Sequence, residues 1–473
     1  MNRNNIWIHV GIAVILVTLA AVIGQIDRWR TALKGPSIAT TKPAPKPIAR
    51  LNQNREPEVL VHFRPGVSLD EIRSIAAKNN DAVDDEIESV KGLALIDDLD
   101  NADPKTVADQ YSRMTSLVEY AEVNAEVKFD DPVPPAFSPQ YAERTETDLE
   151  LPDDPQFDQQ WALNNLGQDG GKAGADIGAL NAWKKTHGSN EVVVAVLDSG
   201  VDYTHVDLRS NMWLRPENLP RYTDDELGTF NDEHGFNETD QVTDPMDDNG
   251  HGTHCAGIIG AEGDNSEGIA GINWQVKIMP LKFLGRGGFG TTADAIKAIN
   301  YAIDRKKHGI NVRVINASWG STSKSKALED VIRAAGEQGI LFVAAAGNDG
   351  SDNDRRPHYP SNYDLPNVIS VAALDRNDQL TSFSNFGIKT VHVAAPGKDI
   401  LSTWLNDAYR DASGTSMAAP QVSGVAALIL SKEPNLSVEK LKARILKSVD
   451  KLESLNGRVA SGGRINAAKA VGE

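Results

Sequence analysis

Val192-Val193-Val194-Ala195-Val196-Leu197-Asp198-Ser199-Gly200 is a continuous apolar run closed by a carboxylate and a glycine. A strand with one wet face alternates apolar and polar residues. A run this uniform predicts a strand buried on both faces, as in a parallel sheet covered by helices. Open sheets of that kind bind ligands beyond the C-terminal ends of their strands. Asp198 therefore stands where a carboxylate can orient a histidine, the alternative being a cap on the next turn. Working outward, strands at 278–281, 312–316, 341–345, 368–371 and 391–394 alternate with, or precede, helices at 292–306, 324–337 and 437–448. The order predicts an α/β fold with a doubly wound parallel sheet.

Two further stretches carry side chains suited to work with that carboxylate. Asn249-Gly250-His251-Gly252-Thr253-His254-Cys255-Ala256-Gly257 sets glycines on both sides of His251, with small residues after it. A slim helix of this kind packs tightly and leaves the imidazole at its N-terminus. His251 and His254 are three apart, but no glutamate follows in the His-Glu-x-x-His manner and no cysteine pair accompanies them, which argues against zinc. Ser413-Gly414-Thr415-Ser416-Met417-Ala418-Ala419-Pro420 offers one hydroxyl nucleophile, Ser416, at a glycine turn. The apolar run 418–431 reads as a buried helix, so the hydroxyl stands at a positive helix end; a serine that merely caps the helix is the plain alternative.

Asp198, His251 and Ser416, in that chain order and each in a glycine-rich setting, resemble the catalytic residues of the subtilases, the subtilisin-like serine proteases. Ala344-Ala345-Ala346-Gly347-Asn348-Asp349-Gly350 resembles the family segment whose Asn donates to the oxyanion, which would be Asn348. Ile315-Asn316-Ala317-Ser318-Trp319-Gly320 and Leu284-Gly285-Arg286-Gly287-Gly288-Phe289-Gly290 resemble the two segments that flank an extended substrate. The resemblance implies substrate contacts at Gly288, Gly290, Ser318, Trp319, Gly320 and Gly347. Two departures bear on side-chain preference: Trp319 replaces an aliphatic residue, and His358 falls where a small residue often floors the pocket before the cut bond. The resemblance also implies structural calcium, held by Asp154, Asp207 and Asn265, in a loop one residue longer than the family pattern, so that Asp264 could displace Asn265. Asp244, Asp247 and Asp248 form a second candidate ion cluster.

Composition narrows the function class. The net charge is −18, no basic stripe occurs, and the glycine-rich loop 285–290 lacks the Lys-Ser/Thr of a phosphate-binding loop, which excludes nucleic acid as the partner. The single cysteine, Cys255, makes no intramolecular disulfide and reads as a packed thiol rather than a nucleophile. Residues 6–26 are an uncharged apolar span long enough to cross a bilayer, so 1–34 reads as a signal anchor, with a cleaved signal peptide as the rival. A general protease is safest outside the cytoplasm, so the expected location is extracytoplasmic, secreted or membrane-anchored. Residues 35–57 are basic and Pro-rich and read as an extended spacer.

Residues 58–129 have a pattern of their own: strands at 59–63, 92–96 and 118–123, and helices at 68–79 and 104–114, the first opened by Ser68-Leu69-Asp70-Glu71. Read as β-α-β-β-α-β, with one strand not placed by its residues, the domain implies a ferredoxin-like fold. Phe63-Arg64-Pro65-Gly66 and Val118-Glu119-Tyr120-Ala121-Glu122-Val123-Asn124 resemble the inhibitor propeptides of subtilases. That resemblance implies an intramolecular chaperone whose C-terminal tail runs through the cleft as first substrate; an unrelated adaptor domain is the alternative. Residues 130–152 are then the processing linker and 153–473 the peptidase domain, with no C-terminal accessory domain expected. The whole reads as an autoprocessed serine endopeptidase acting on proteins or peptides. Its rival, a membrane-tethered binding protein on an inactive scaffold, requires an altered catalytic position, and all four stand intact.

Overall fold

In the computed structural model the run from Val192 lies inside the strand Gly188–Asp198, whose last seven residues are all buried. Its side chains alternate between two cores. Val192, Val194 and Val196 pack with Ala256, Ile259, Ala418 and Val422, whereas Val193, Ala195 and Leu197 pack with Ile296, Ile299 and Val331. Helices cover both faces, and this is why the run shows no polar alternation. The structure describes residues 58–129, 151–224, 228–229, 231–239 and 243–472, all within one compact unit, 55–473. The expected bilayer span 6–26, the spacer 35–57 and most of the processing linker 130–152 lie outside the described residues. Among those described, no helix is long and apolar enough to cross a membrane.

Across the main sheet the strands run in the order Val449–Lys451, Gly463–Ile465, Val393–Pro396, Val368–Leu374, Leu341–Ala345, Val312–Ala317, Gly188–Asp198, Gln275–Lys282 and Phe236–Asn237. Every neighbouring pair is parallel except the first. From Gly188–Asp198 the chain builds outward first to one side and then to the other, so strand order reverses beside it. The crevice that such a reversal opens lies at the end of the strand that carries Asp198. The helices Thr292–Lys307 and Lys326–Glu337 pack on one face; His251–Gly260 and Thr415–Lys432 pack on the other.

Residues 58–129 form an antiparallel sheet in the order Asp81–Glu86, Leu93–Asp98, Val59–Phe63, Val118–Val123, backed by helices Leu69–Lys78 and Pro104–Ser112. This is the ferredoxin-like order. The expected cap is present, with Ser68 accepting from the Glu71 amide and Glu71 accepting from the Ser68 amide. The strand Asp81–Glu86 was not singled out by its residues, because four of its six side chains are carboxylates, which disfavour strands in isolation. Pairing with Leu93–Asp98 holds it in place.

Both faces of this small sheet are covered. Val59, Val61 and Phe63 pack on its own helices, while Leu60, Leu93 and Leu95 join the core formed by Thr292–Lys307 and Lys326–Glu337. Glu122 accepts from the Ser325 hydroxyl and from the Lys326 (2.9 Å) and Ala327 (3.1 Å) amides, at the N-terminus of a helix. Asn124 accepts from the Ala293 amide (2.9 Å) at the start of the other. A carboxylate and an amide oxygen thus satisfy helix-end N–H groups that would otherwise bond water.

Candidate active site

His251 and Asp198 meet because their two elements are tied together by backbone and by a third carboxylate. Gly252 lies so close to the strand end that a Cβ there would sit 2.0 Å from the Gly200 carbonyl oxygen. Asp247 accepts from the Ser199 hydroxyl, the Asn249, Gly250 and Thr253 amides and the Thr253 hydroxyl. It therefore binds the turn after Asp198 to the first turn of the histidine helix. The result is a 2.7 Å contact between His251 Nδ1 and Asp198 Oδ1, with both residues buried. The Asp198 oxygen also accepts from the Ser199 amide at 2.8 Å. With Nδ1–H donating to Asp198, Nε2 is the basic nitrogen of the ring.

Ser416 occupies the first turn of Thr415–Lys432, whose opening N–H groups have no helical partner. Its hydroxyl donates to the Ser318 carbonyl at 3.1 Å, and the Ser318 hydroxyl donates to the Ser416 carbonyl at 2.8 Å. Beside it, the Asn348 side-chain oxygen accepts from the Thr415 amide (2.9 Å) and hydroxyl (3.0 Å). That pair fixes which way the amide points. Among the described residues the buried Asn348 Nδ2 has no hydrogen-bond partner, so an NH2 group is held ready beside a helix N-terminus. This arrangement suits a developing negative oxygen.

The expected substrate segments border a groove that the chain itself fills. Glu126–Lys128 pairs antiparallel with Phe289–Thr291, placing Val127 opposite Gly290. The Gly320 amide donates to the Lys128 carbonyl (3.0 Å) and the Phe129 amide donates to the Gly288 carbonyl (3.3 Å). Gly288 is glycine because a Cβ there would lie 1.9 Å from the Phe129 ring, and its φ is +78°. Gly347, with φ +106°, would press a Cβ onto Asn385 at 2.3 Å. Trp319 departs from the expectation: its side chain is fully buried and meets Phe283 edge to face at 4.8 Å, so only its backbone follows the groove. A strand neighbour in a packed core leaves an indole no room to turn outward.

Cys255 lies behind the site, its sulfur within 4.8 Å of the ligand atoms of Asp198 and His251. The thiol contacts the Ser416 carbonyl at 3.5 Å, and burial pushes its pKa well up, so it is a packed thiol. The His254 ring donates from Nε2 to the Arg410 (2.9 Å) and Ile400 (3.1 Å) carbonyls, a structural role and not that of a metal ligand.

Asp154, Asp207 and Asn265 are brought together on the far side of the histidine helix. Asp154 accepts from the Asp264 amide at 2.8 Å, and Asp207 accepts from the Asn265 side chain at 2.9 Å and the Ile269 amide at 3.0 Å. The other Asp154 oxygen is buried and has no partner among the described residues. Burial, with Asp207 and Asp153 nearby, pushes the Asp154 carboxyl up to about 6 and also raises Asp207. The second cluster differs from its expectation. The five donors on Asp247 saturate it, Asp248 pairs with Lys282 at 2.7 Å, and Asp244 accepts from Tyr203 and the Met246 amide.

Asp247 was singled out from the sequence only as a candidate ion ligand, and Thr415 and the strand Glu126–Lys128 were not singled out. An Asp three residues before a Gly-His helix start is a capping signal, and Thr415 adjoins the nucleophile; the tail shows no strand pattern of its own.

The sequence profile of the Subtilase family matches residues 189–463. The chain is 40% identical over 290 residues to the thermophilic serine proteinase of Bacillus sp. (strain AK1), covering 61% of this chain and 64% of that protein. It is 37% identical over 295 residues to thermitase of Thermoactinomyces vulgaris, covering 62% and 93%. It is 39% identical over 260 residues to subtilisin-like protease 2 of Plasmodium falciparum, covering 54% of this chain and 18% of that protein. The chain thus spans less than two thirds of the Bacillus and Plasmodium relatives. Among solved structures, a protease of Pseudoalteromonas arctica PAMC 21717 superposes with a TM-score of 0.57 at 28% identity, covering 68% of this chain and 99% of that one.

Proposed function

The chain belongs to the subtilase family, and from that premise we propose that it is a serine endopeptidase, made as a zymogen that processes itself. The observation that carries the reading is the Asn348 NH2 group, oriented by Thr415 and undonated, beside Ser416 and the His251–Asp198 pair. A seryl hydroxyl is nearly inert at neutral pH. As Ser416 Oγ attacks the scissile carbonyl, its proton passes to His251 Nε2, and Asp198 stabilises the imidazolium. The oxyanion accepts from Asn348 and the Ser416 amide. His251 then protonates the leaving amine, and water hydrolyses the acyl-enzyme through the same groups.

Residues 58–129 act as the inhibitory propeptide. The support is the pairing of Glu126–Lys128 in the groove and the docking of Glu122 and Asn124 on two helix ends. Residues 6–26 hold the precursor at a membrane, with the enzyme acting outside the cytoplasm, as their apolar length and the hazard of an intracellular general protease suggest. Subtilases commonly bind structural calcium, and the residues present fit it: Asp154, with its orphaned oxygen, Asp207, and the 264–265 loop are hard oxygen donors. The bound ion would offset the mutual repulsion of the two buried carboxylates.

Labelling with a serine-directed phosphonate tests the enzymatic reading: it should modify Ser416 in the matured chain and stop hydrolysis of a protein substrate. Hydrolysis that persists after complete labelling would contradict it.

A further inference from the structure

The segment seated in the groove shows what a substrate side chain meets there. Side chains on an extended strand alternate between two sides. Val127 and Phe129 therefore turn the same way: Val127 is buried with Phe283 and Trp319, and Phe129 lies on the His251 ring. Lys128, between them, turns the other way and stands opposite Phe289.

The place taken by the Phe129 ring is a slot with two walls. One is the imidazole, its centroid 4.7 Å from that of the phenyl ring and its plane within 9° of parallel. The other is Gly288. A Cβ added there would come 1.9, 2.4 and 2.6 Å from Cε1, Cζ and Cδ1 along one edge of the ring, so the slot exists only because position 288 carries no side chain. The loop that holds this glycine is closed on itself. The Gly288 amide donates to the Gly285 carbonyl at 2.8 Å, and the Gly285 amide donates to the Phe289 carbonyl at 2.9 Å. The Asn249 side chain donates to the Arg286 carbonyl at 2.9 Å, and Asn249 is two residues before His251. That bond ties the two walls together. The Phe129 amide donates to the Gly288 carbonyl at 3.3 Å, which couples the place of the ring to the register of the backbone.

A flat slot admits a flat group. An aliphatic chain has no plane to lay on the imidazole. An arginine fork has one, but it would bring its charge onto a ring that itself becomes cationic on accepting the seryl proton. The face of an aromatic ring attracts that cation instead.

Resting on the protease reading above, we propose that Gly288 is a specificity-determining residue: by leaving the slot beside His251 open, it selects substrates with an aromatic side chain two residues after an aliphatic one, on the amino side of the cut. Val127 and Phe129 are the first such pair, since the cut that releases 58–129 falls beyond them.

The test uses the full chain, allowed to mature. The matured enzyme is offered a peptide library varied on the amino side of the cut, products are read by mass spectrometry, and kcat/KM is measured for peptides that differ only at the position two residues after the aliphatic one. Phe, Tyr and Trp there should exceed Ala, Val and Arg by about tenfold, in keeping with a half-buried ring. Gly288→Asn should bring that ratio toward parity: Asn tolerates the positive φ of the loop while its Cβ closes the slot. In the full chain Phe129→Ala should slow the first cut several-fold, and Phe129→Tyr should slow it less. Equal rates for aromatic and aliphatic residues with the wild-type enzyme, a ratio that Gly288→Asn leaves unchanged, or a first cut that Phe129→Ala leaves at its wild-type rate would overturn the proposal and leave the protease reading intact. If no peptide is cleaved at all, the protease reading itself fails and the proposal with it. If Gly288→Asn does not fold, the wild-type library and Phe129→Ala still decide.

Discussion

The Phe129 ring lies flat on the His251 ring, with centroids 4.7 Å apart and planes 9° from parallel. The His251 imidazole is thus covered by the chain's own segment 126–129, and under the zymogen reading no other substrate reaches it until that segment leaves. Departure requires more than release of one ring, because the same segment is paired to Phe289–Thr291 and continues into a domain docked on two helices.

Glu122→Ala should loosen that docking. It removes a carboxylate from three donors at a helix N-terminus, an interaction worth on the order of 1–2 kcal/mol. In a Ser416→Ala background, where the chain cannot cut itself, limited proteolysis by an added protease should remove 58–129 several-fold faster. An unchanged rate would mean that Glu122 contributes nothing to the interface.

Ser416→Ala should abolish peptide hydrolysis and self-processing together, with kcat lowered by about 10⁶. The hydroxyl's contact in the structure is the Ser318 carbonyl at the groove, so the variant should fold and accumulate as precursor on a gel. Normal maturation of the purified variant would show that another enzyme does the cutting.

Thr415 should matter through Asn348. Asn348→Ala removes an oxyanion donor and should lower kcat by about 10²–10³. Thr415→Val removes the hydroxyl on the Asn348 oxygen and the acceptor of the Gly347 amide (3.1 Å), leaving the amide less firmly oriented. We expect a loss of roughly tenfold in kcat, about one hydrogen bond, with KM little changed. A pure KM effect would assign Thr415 to substrate binding instead.

Acid should act at two levels. Because only a neutral imidazole accepts the Ser416 proton, kcat/KM should fall tenfold per pH unit on the acid limb. Stability should fall as well. Burial holds His254 near 3, and its Nδ1 is buried without a partner; burial, with Lys442 adding, also holds His392 near 3, and its Nδ1 already accepts from the Ser370 amide. In the unfolded chain both titrate near 6.5. Between about 6.5 and 3 the unfolded state therefore binds protons that the folded state does not, and stability drops as pH falls through that window. His254→Asn should make the slope shallower by up to one proton in denaturant titrations from pH 7 to 4. An identical slope would place the acid sensitivity elsewhere.

Chelation should lower the melting temperature and speed autolysis. An ion that binds the folded state alone at 1,000 times its Kd stabilises by about 4 kcal/mol. Asp154→Ala should remove most of the calcium dependence, since it deletes the orphaned oxygen. Superimposable melting curves for metal-free and calcium-saturated enzyme would refute the site.

The parallel sheet and its helices were legible because burial on two faces erases polar alternation, a local property of runs such as 192–197. The histidine and serine helices were legible from glycines and small residues at their starts. The strand Asp81–Glu86 was not, because its carboxylates oppose a strand and only its partner enforces one. Nor was the direction of the Trp319 side chain legible: side-chain direction at a strand end is decided by what the core leaves free.

Sequence alone determined the chemical inventory: which hydroxyl, imidazole, carboxylate and amide stand in glycine-rich settings at element ends, and in what order. Tertiary structure decided everything that depends on distance between remote residues. It set the 2.7 Å contact across 53 positions between Asp198 and His251, the orientation of Asn348 by Thr415, and the stacking of Phe129 on His251. The physical reason is that propensity and periodicity act over a few residues, whereas hydrogen bonds and ring contacts between distant segments exist only once two packed cores have brought those segments within a few ångströms.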